Sequence, residues 1–349
     1  MKILNVYKWA TVGGVEKVIL NRACAFKKHN ADIKQAVLFF HDSGGLNNFK
    51  KFIDISRLRQ YIEVVTELNE RAYDYIITFD TPEVFNMVKK HSKIIVECHS
   101  PYRESRSYLK SLPHEIACLL SPSEAFIKTI TKEIPNGFEK KLHILPNFHI
   151  FDKDLHKNEN TQNKIWSKRP ICYIGRMDAT KNTKELLEIF LKLRKEVSDE
   201  FFLLLVGDVR EHYMDLPETL IKTRLEDRTA YFRPIPYENV DVLLGKIREH
   251  KGIFVSPSKG ESFGLSALEA MMSGLPVLLS DIDCHRQLVD GENAFLYEPG
   301  NIAQAVDKLS DITNNYDYLA SKASSLSAGH SSESFFMAWE RLMKKIHDN

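Results

Sequence analysis

No CxxC pair occurs in the 349-residue chain, and its five cysteines, Cys24, Cys98, Cys118, Cys172 and Cys284, are scattered. Cys98, Cys118 and Cys172 lie in apolar, strand-like runs and read as buried thiols rather than ligands, which fits a reducing compartment. A run of 18 apolar residues is also missing, which excludes a transmembrane helix. The first residues read as a strand ending in charges, not as a leader, so a cytoplasmic protein is expected. Net charge is only +1, so no strong field draws the whole molecule onto nucleic acid, and no nucleic-acid partner is expected. Neither an internal repeat nor a low-complexity tract appears.

What is present is an ordinary globular composition, 43% hydrophobic and 27% charged, at a length suited to two domains. Strand-like runs at 2–7, 35–40, 62–65, 75–79, 94–98, 116–120 and 142–145 alternate with helical stretches such as 82–91 and 124–133. That alternation implies a mostly parallel sheet covered on both faces. Residues 151–168 are polar and read as a linker, placing a boundary near 150. The pattern then restarts: strands at 171–174, 201–206 and 229–232, with Asn182 as the expected cap of a helix running to Val197. From Asn301 the chain is helical, ending in an amphipathic helix with Phe335, Met337, Trp339, Leu342, Met343 and Ile346 as its apolar residues.

The most informative stretch is 252–280. An apolar strand leads into a polar turn, and a helix opens near Phe263 and runs to Met272. Gly274 and Pro276 end it before the next strand. The amides of Phe263, Gly264 and Leu265 are those a helix start leaves unpaired, and Gly264 permits close approach of a ligand. Glu261 and Glu269 flank this opening, with seven residues between them. An anion at the helix start would be repelled by both, so their functional partners would be hydroxyl groups of a sugar and a ribose. The plainer reading is a core βαβ unit with Glu261 as a solvated turn residue. In the first half a Gly13-Gly14-Val15-Glu16 turn follows the opening strand without a full GxGxxG, and Asp80, His99 and Ser121 stand at strand ends, where parallel sheets bind ligands.

Glu261-x7-Glu269, continued as Ala270-Met271-x-x-Gly274-x-Pro276-Val277, resembles the signature of the GT4 family of retaining glycosyltransferases. The likeness covers nearly the whole chain and is strongest over 171–300. It implies an α/β fold of the GT-B kind, with two Rossmann-like domains facing each other across a cleft. Residues 1–150 form the acceptor-side domain, on which a helix at about 331–349 packs back, and 151–330 form the donor domain. It further implies transfer of a sugar from a nucleoside-diphosphate sugar to a hydroxyl of a glycan or lipid-linked acceptor, with retention, in bacterial surface polysaccharide synthesis. Arg176 and Lys181, after the strand at 171–174, match the family's diphosphate-binding cations. Glu261 would hold a sugar hydroxyl, Glu269 the ribose, and the amides of Phe263, Gly264 and Leu265 the departing diphosphate. Ile235 would lie against the base, Gly14 would admit donor and acceptor, and His99 would contact the transferred sugar, at its 6-hydroxyl. Asp281-Ile282-Asp283 spells the metal clamp of another glycosyltransferase fold, but the cations already serve the phosphates, so no essential metal and no cofactor are expected. Phe148 replaces the glycine of a family Pro-Asn-Gly turn, and Gln287 stands where a glutamate is common. Arg103 and Arg106 are the acceptor candidates. They belong to one of two mixed basic and apolar stretches, 101–110 and 49–60, that suit an anionic membrane face, although solvated helix faces look the same. Two other classes share the fold: a nucleotide-sugar epimerase and a non-catalytic nucleotide-sugar binder. Base, sugar and acceptor are not named by the sequence.

Overall fold

A computed structural model describes residues 1–150, 165–210 and 212–348 of the chain. The linker expected over 151–168 falls mostly outside the described residues. The chain divides into two compact units, Met1–Ile150 with His330–Asn349, and Phe151–Gly329.

The first unit contains β1 (Lys2–Ala10), α1 (Gly14–Lys28), β2 (Lys34–Asp42), α2 (Leu46–Ile55), β3 (Ile62–Val65), β4 (Tyr75–Phe79), α3 (Val84–Met87), β5 (Ile94–Glu97), β6 (Cys118–Ser121), α4 (Glu124–Ile130) and β7 (Leu142–Ile144). Its sheet runs in the order β3-β2-β1-β4-β5-β6-β7, with every pair parallel. Helices cover both faces, so β5 and β6 are buried along their whole length and are apolar over 94–96 and 118–120. Only α3 forms where a helix over 82–91 is expected. The carboxylate of Glu70 accepts hydrogen bonds from the amides of Lys89 and Lys90 at 2.9 and 2.8 Å, and the backbone is already extended at Val88. In α2, Phe49 and Ile53 are buried, so the apolar half of the 49–60 stretch is a core face.

In the second unit β8 (Arg169–Ile174), α5 (Thr183–Glu196), β9 (Phe201–Val206), α6 (Leu216–Thr223), β10 (Thr229–Phe232), α7 (Tyr237–Glu249), β11 (Ile253–Ser256), α8 (Leu265–Met272), β12 (Val277–Ser280), α9 (Asp283–Leu288), β13 (Leu296–Tyr297), α10 (Ile302–Asn314) and α11 (Tyr316–Ser327) follow one another. The parallel sheet has the order β10-β9-β8-β11-β12-β13. One apolar core joins β8, β9, β11 and β12 to the inner faces of α5, α7, α8, α10 and α11. Gly207, just after β9, has no room for a side chain: a Cβ there would lie 2.0 Å from the Gly175 carbonyl oxygen. This contact brings the loops after β8 and β9 together.

The chain closes with α12 (Ser332–Asp348), which belongs to the first unit. Phe335, Trp339 and Leu342, spaced for one helical face, are buried, whereas Met337 lies on the opposite face and is 53% exposed. The Phe26 ring meets Phe335 and Trp339 at centroid distances of 5.9 and 5.4 Å. Phe148 stacks on Phe335 at 4.5 Å and its carbonyl accepts a 2.7 Å bond from Asn21 Nδ2. Where the resemblance puts a glycine, this chain therefore has a ring that seats its last helix. Trp339→Ala should lower the stability of the first unit by about 3–5 kcal/mol, measured by urea unfolding followed by circular dichroism. A loss below about 1 kcal/mol would contradict the packing described.

Candidate active site

In each sheet the strand order reverses direction beside the first strand, between β1 and β4 in the first unit and between β8 and β11 in the second. Loops leaving the carboxyl ends of such neighbours diverge and leave a crevice, the usual ligand site of open parallel sheets. In the second unit these are the loops after β8, carrying Arg176 and Lys181, and after β11, carrying Glu261.

The β8 loop is organised by Asp178, a residue the sequence reading passed over. Its Oδ1 accepts the amides of Thr180 and Lys181, both at 2.9 Å, and its Oδ2 takes the Arg176 Nε at 2.6 Å. The Arg176 carbonyl is held by the Tyr173 hydroxyl at 2.7 Å. The expected cap at Asn182 takes a different form. Its backbone is left-handed, at φ 54°, and its side-chain amide donates to Glu185 Oε2 instead of accepting from the helix. Asp178, not Asn182, therefore gathers the loop's amides.

The two loops are stapled together. The Lys259 amide donates to the Thr180 carbonyl at 2.7 Å. Lys181 Nζ lies 2.6 Å from both carboxylate oxygens of Glu261, and the two side chains are only 19% and 12% exposed. Ser258 Oγ donates to Glu261 Oε1 at 2.8 Å, and Cys284 Sγ to the Glu261 carbonyl at 2.8 Å. Burial by itself would raise the Glu261 carboxyl, but the Lys181 ammonium and the hydrogen bonds hold it below its ordinary 4.5. Beneath the turn lies His285, fully buried, whose Nδ1 donates to the Ser280 carbonyl at 2.9 Å.

Gly264 occupies the N-cap of α8 at φ 96°, with no side-chain cap, and His285 Cδ2 is 3.5 Å from where its Cβ would be. The first amides of α8 at Leu265 thus have no capping side chain. Phe263 turns its ring into the core, Glu269 is buried in α8, and Ile235 is half-buried against the same core. Asp281 is engaged by Arg286 at 2.6 Å, and among the described residues no group of three or more His, Cys, Asp or Glu side chains is placed to hold a metal.

The first unit assembles a second cluster. Gly14 begins α1, exposed and with open space around its Cα. His99, 8% exposed, is held at both ends: its amide donates to Asp80 Oδ2 at 2.9 Å, and its Nε2 lies 2.7 Å from Glu97 Oε1. Glu97 is fully buried and paired twice with Arg22, at 2.7 and 2.6 Å. Burial works against its charge, but Arg22 and His99 bring its carboxyl down to about 2. Ser121 and Ser123 serve the backbone: Ser121 Oγ donates to the Ser123 carbonyl, and Ser123 Oγ caps α4 through the Phe126 amide. Arg103 is exposed, but Arg106 is buried, with two bonds to Glu133 at 2.8 Å, one to the Ser100 carbonyl at 2.9 Å, and its guanidinium over Phe126. Its charge is committed inside the fold.

Residues 156–325 match the family model described as glycosyl transferases group 1. That match falls within the second unit, and relatives of the chain are named as glycosyltransferases. The O-antigen chain mannosyltransferase RfbU of Salmonella typhimurium is 27% identical over 37% of this chain and 39% of its own length. The poly(ribitol-phosphate) alpha-N-acetylglucosaminyltransferase of Staphylococcus aureus is 25% identical over 75% of this chain and 52% of its own. The chain spans only 19% to 52% of the lengths of the first curated relatives it matches. Among solved structures, Anabaena HepE in complex with UDP and glucose superposes with a TM-score of 0.78 at 17% identity, covering 100% of both chains. The fold is GT-B, and the matched segment contains the whole Arg176, Lys181 and Glu261 constellation.

The buried His285 makes the second unit sensitive to acid. Burial, its largest influence, holds the ring below the ordinary 6.5 against the pull of Glu261 and the Ser280 carbonyl. As pH falls through 6.5 the unfolded chain takes up a proton that the folded ring refuses until its own lower value is reached. Stability should therefore fall with pH below about 6.5, and His285→Asn should flatten that slope relative to the native protein in urea titrations between roughly pH 5 and 7. Parallel slopes would contradict it.

Proposed function

We propose that the protein transfers a sugar from a nucleoside-diphosphate sugar to a hydroxyl of a glycan or lipid-linked acceptor, with retention of anomeric configuration and without an essential metal. The observation that carries this reading is the Lys181–Glu261 pair, 2.6 Å apart, at the sheet reversal of the second unit. A lysine ammonium has three N–H donors. Two engage Glu261 and one remains for a phosphate oxygen, beside the Arg176 fork and the uncapped start of α8. Such a set adds little net charge, since Asp178 and Glu261 neutralise it. It presents fixed donors toward a leaving group whose charge grows as the sugar departs, which lowers the barrier without reorganisation.

Glu261, held ionised, accepts a sugar hydroxyl and fixes the ring's pose, Glu269 takes the ribose, and Ile235 meets the base. In the first unit Gly14 admits the backbone to close contact and His99 addresses the carbohydrate. No side chain is assigned as a nucleophile; rate comes from positioning and leaving-group stabilisation. Acceptor recognition rests on Arg103, because Arg106 is already paired with Glu133. The names of the Salmonella and Staphylococcus relatives, an O-antigen mannosyltransferase and a poly(ribitol-phosphate) sugar transferase, favour a bacterial surface polysaccharide as destination. Among the described residues no helix is long and apolar enough to cross a membrane. The exposed cations of the 101–110 segment suit peripheral contact with an anionic inner membrane face.

Thermal-shift screening with UDP-, GDP- and ADP-sugars should single out one nucleotide, and that donor should be hydrolysed slowly without acceptor. Glu261→Ala should then lower kcat roughly 100-fold. A near-native rate in that variant, or no stabilisation by any nucleotide sugar, would sink the proposal. Arg103→Ala should raise acceptor KM while Arg106→Ala mainly lowers stability, and an unchanged KM in the first would remove Arg103 from the acceptor site.

A further inference from the structure

We propose that Glu97, clamped by Arg22, is a positioning residue that fixes the tautomer of His99 so that its Nδ1 presents a lone pair to a hydroxyl of the bound carbohydrate. The inference rests on the assignment of His99 to the sugar made above. Its basis is a chain of contacts within the first unit. Arg22 is 1% exposed, and its Nη1 and Nη2 donate to Glu97 Oε2 and Oε1 at 2.7 and 2.6 Å. A guanidinium has donors only, so this fork keeps Glu97 as an ionised acceptor. Nε2 of His99 lies 2.7 Å from Oε1 of that acceptor and must therefore carry the proton of the neutral ring. Nδ1 is then the unprotonated nitrogen. Among the described residues it has no hydrogen-bond partner, and it is not one of the fully buried unpaired atoms, so it is the ring nitrogen that solvent reaches.

The ring has little freedom to escape this assignment. Its own amide is tied to Asp80 Oδ2, and Asp80 Oδ1 accepts the Tyr108 hydroxyl at 2.9 Å. Asp80 holds this pose from a left-handed backbone, at φ 43°, a conformation that costs a non-glycine residue free energy and tends to persist where a site needs it. The Phe79 ring packs against His99 at a centroid distance of 5.6 Å, and the Arg22 guanidinium covers the same phenylalanine at 5.7 Å. Arg22 thus holds Glu97 by charge and supports the imidazole through Phe79. A carboxylate that orients a functional imidazole in this way is worth about 10–100-fold in activity where such pairs have been measured at metal sites. A buried pair retained for that purpose needs no net stabilising role, since apolar replacements of both partners are often neutral.

The test uses the full chain labelled with 15N-histidine, the His99 signals being assigned by their loss in His99→Gln. At pH 8 the ring should carry its proton on Nε2 alone. Arg22→Met/Glu97→Gln, which removes both charges together and so avoids an unpaired buried ion, should fold with native circular dichroism. It should show a mixed tautomer and reduce turnover of the selected nucleotide sugar about 10-fold or more, while leaving the Kd of the free nucleoside diphosphate within about 2-fold. Glu97→Asp, which keeps the acceptor, should recover part of the single-tautomer signal. A proton on Nδ1 in the native protein, in the neutral or the cationic ring, overturns the proposal whatever the enzyme does. So does a folded double variant with native tautomer and native turnover. If instead the tautomer is as stated but His99→Gln turns over donor normally, the assignment of His99 to the sugar has failed and the inference falls with it; the NMR result tells the two failures apart.

Discussion

The second unit depends on one buried-edge ion pair. Lys181 and Glu261 come from loops after neighbouring parallel strands, and their 2.6 Å contact closes the gap between those loops. Both side chains are largely shielded, so leaving either charge without the other costs stability. Ser258, Cys284 and the Thr180–Lys259 backbone bond fix the geometry in which each meets the other. The same arrangement that satisfies the fold sets Lys181, the Asp178-held Arg176 and the start of α8 on one edge of the sheet.

A comparable logic governs the first unit, where Arg22, Glu97 and His99 form a continuous buried chain from α1 to the end of β5. In each unit two carboxylates do the organising: Asp178 and Glu261 in one, Glu97 and Asp80 in the other. Carboxylates suit this task because they accept several bonds and offer none. Amides, guanidinium and ammonium groups, hydroxyls and imidazole all supply donors to them here.

Much of this was legible from the residues. The strands at 75–79 and 201–206 coincide with β4 and β9, because buried parallel strands are short apolar runs between polar turns, and those at 62–65 and 229–232 coincide with the edge strands β3 and β10. The turn-and-helix pattern around Glu261 and Gly264 was readable for the same reason: Gly274 and Pro276 end the helix, and Gly264 takes a positive φ. What stayed hidden were pairings across long separations. Arg22 looks like one more cation on a helix, and nothing near it names Glu97, 75 residues on. A glutamate inside the apolar run of β5 was a usable signal, since a buried charge demands a partner. Arg106 misled in the opposite sense: a cation in a polar segment reads as exposed until Glu133 is brought to it by the fold. The short α3 could not be foreseen either, because Glu70 takes the amides that would have extended it.

The central claim is that Lys181 holds the diphosphate while Glu261 holds the sugar. Calorimetric titration of the free nucleoside diphosphate and of the matching nucleotide sugar into native protein, Lys181→Met and Glu261→Gln separates these roles. Lys181→Met should weaken both ligands by about 10-fold or more, as expected for a lost charge-assisted bond. Glu261→Gln, which frees the ammonium, should leave the diphosphate bound at least as tightly and weaken only the sugar-bearing ligand. Native affinity for both ligands in Lys181→Met would contradict the account.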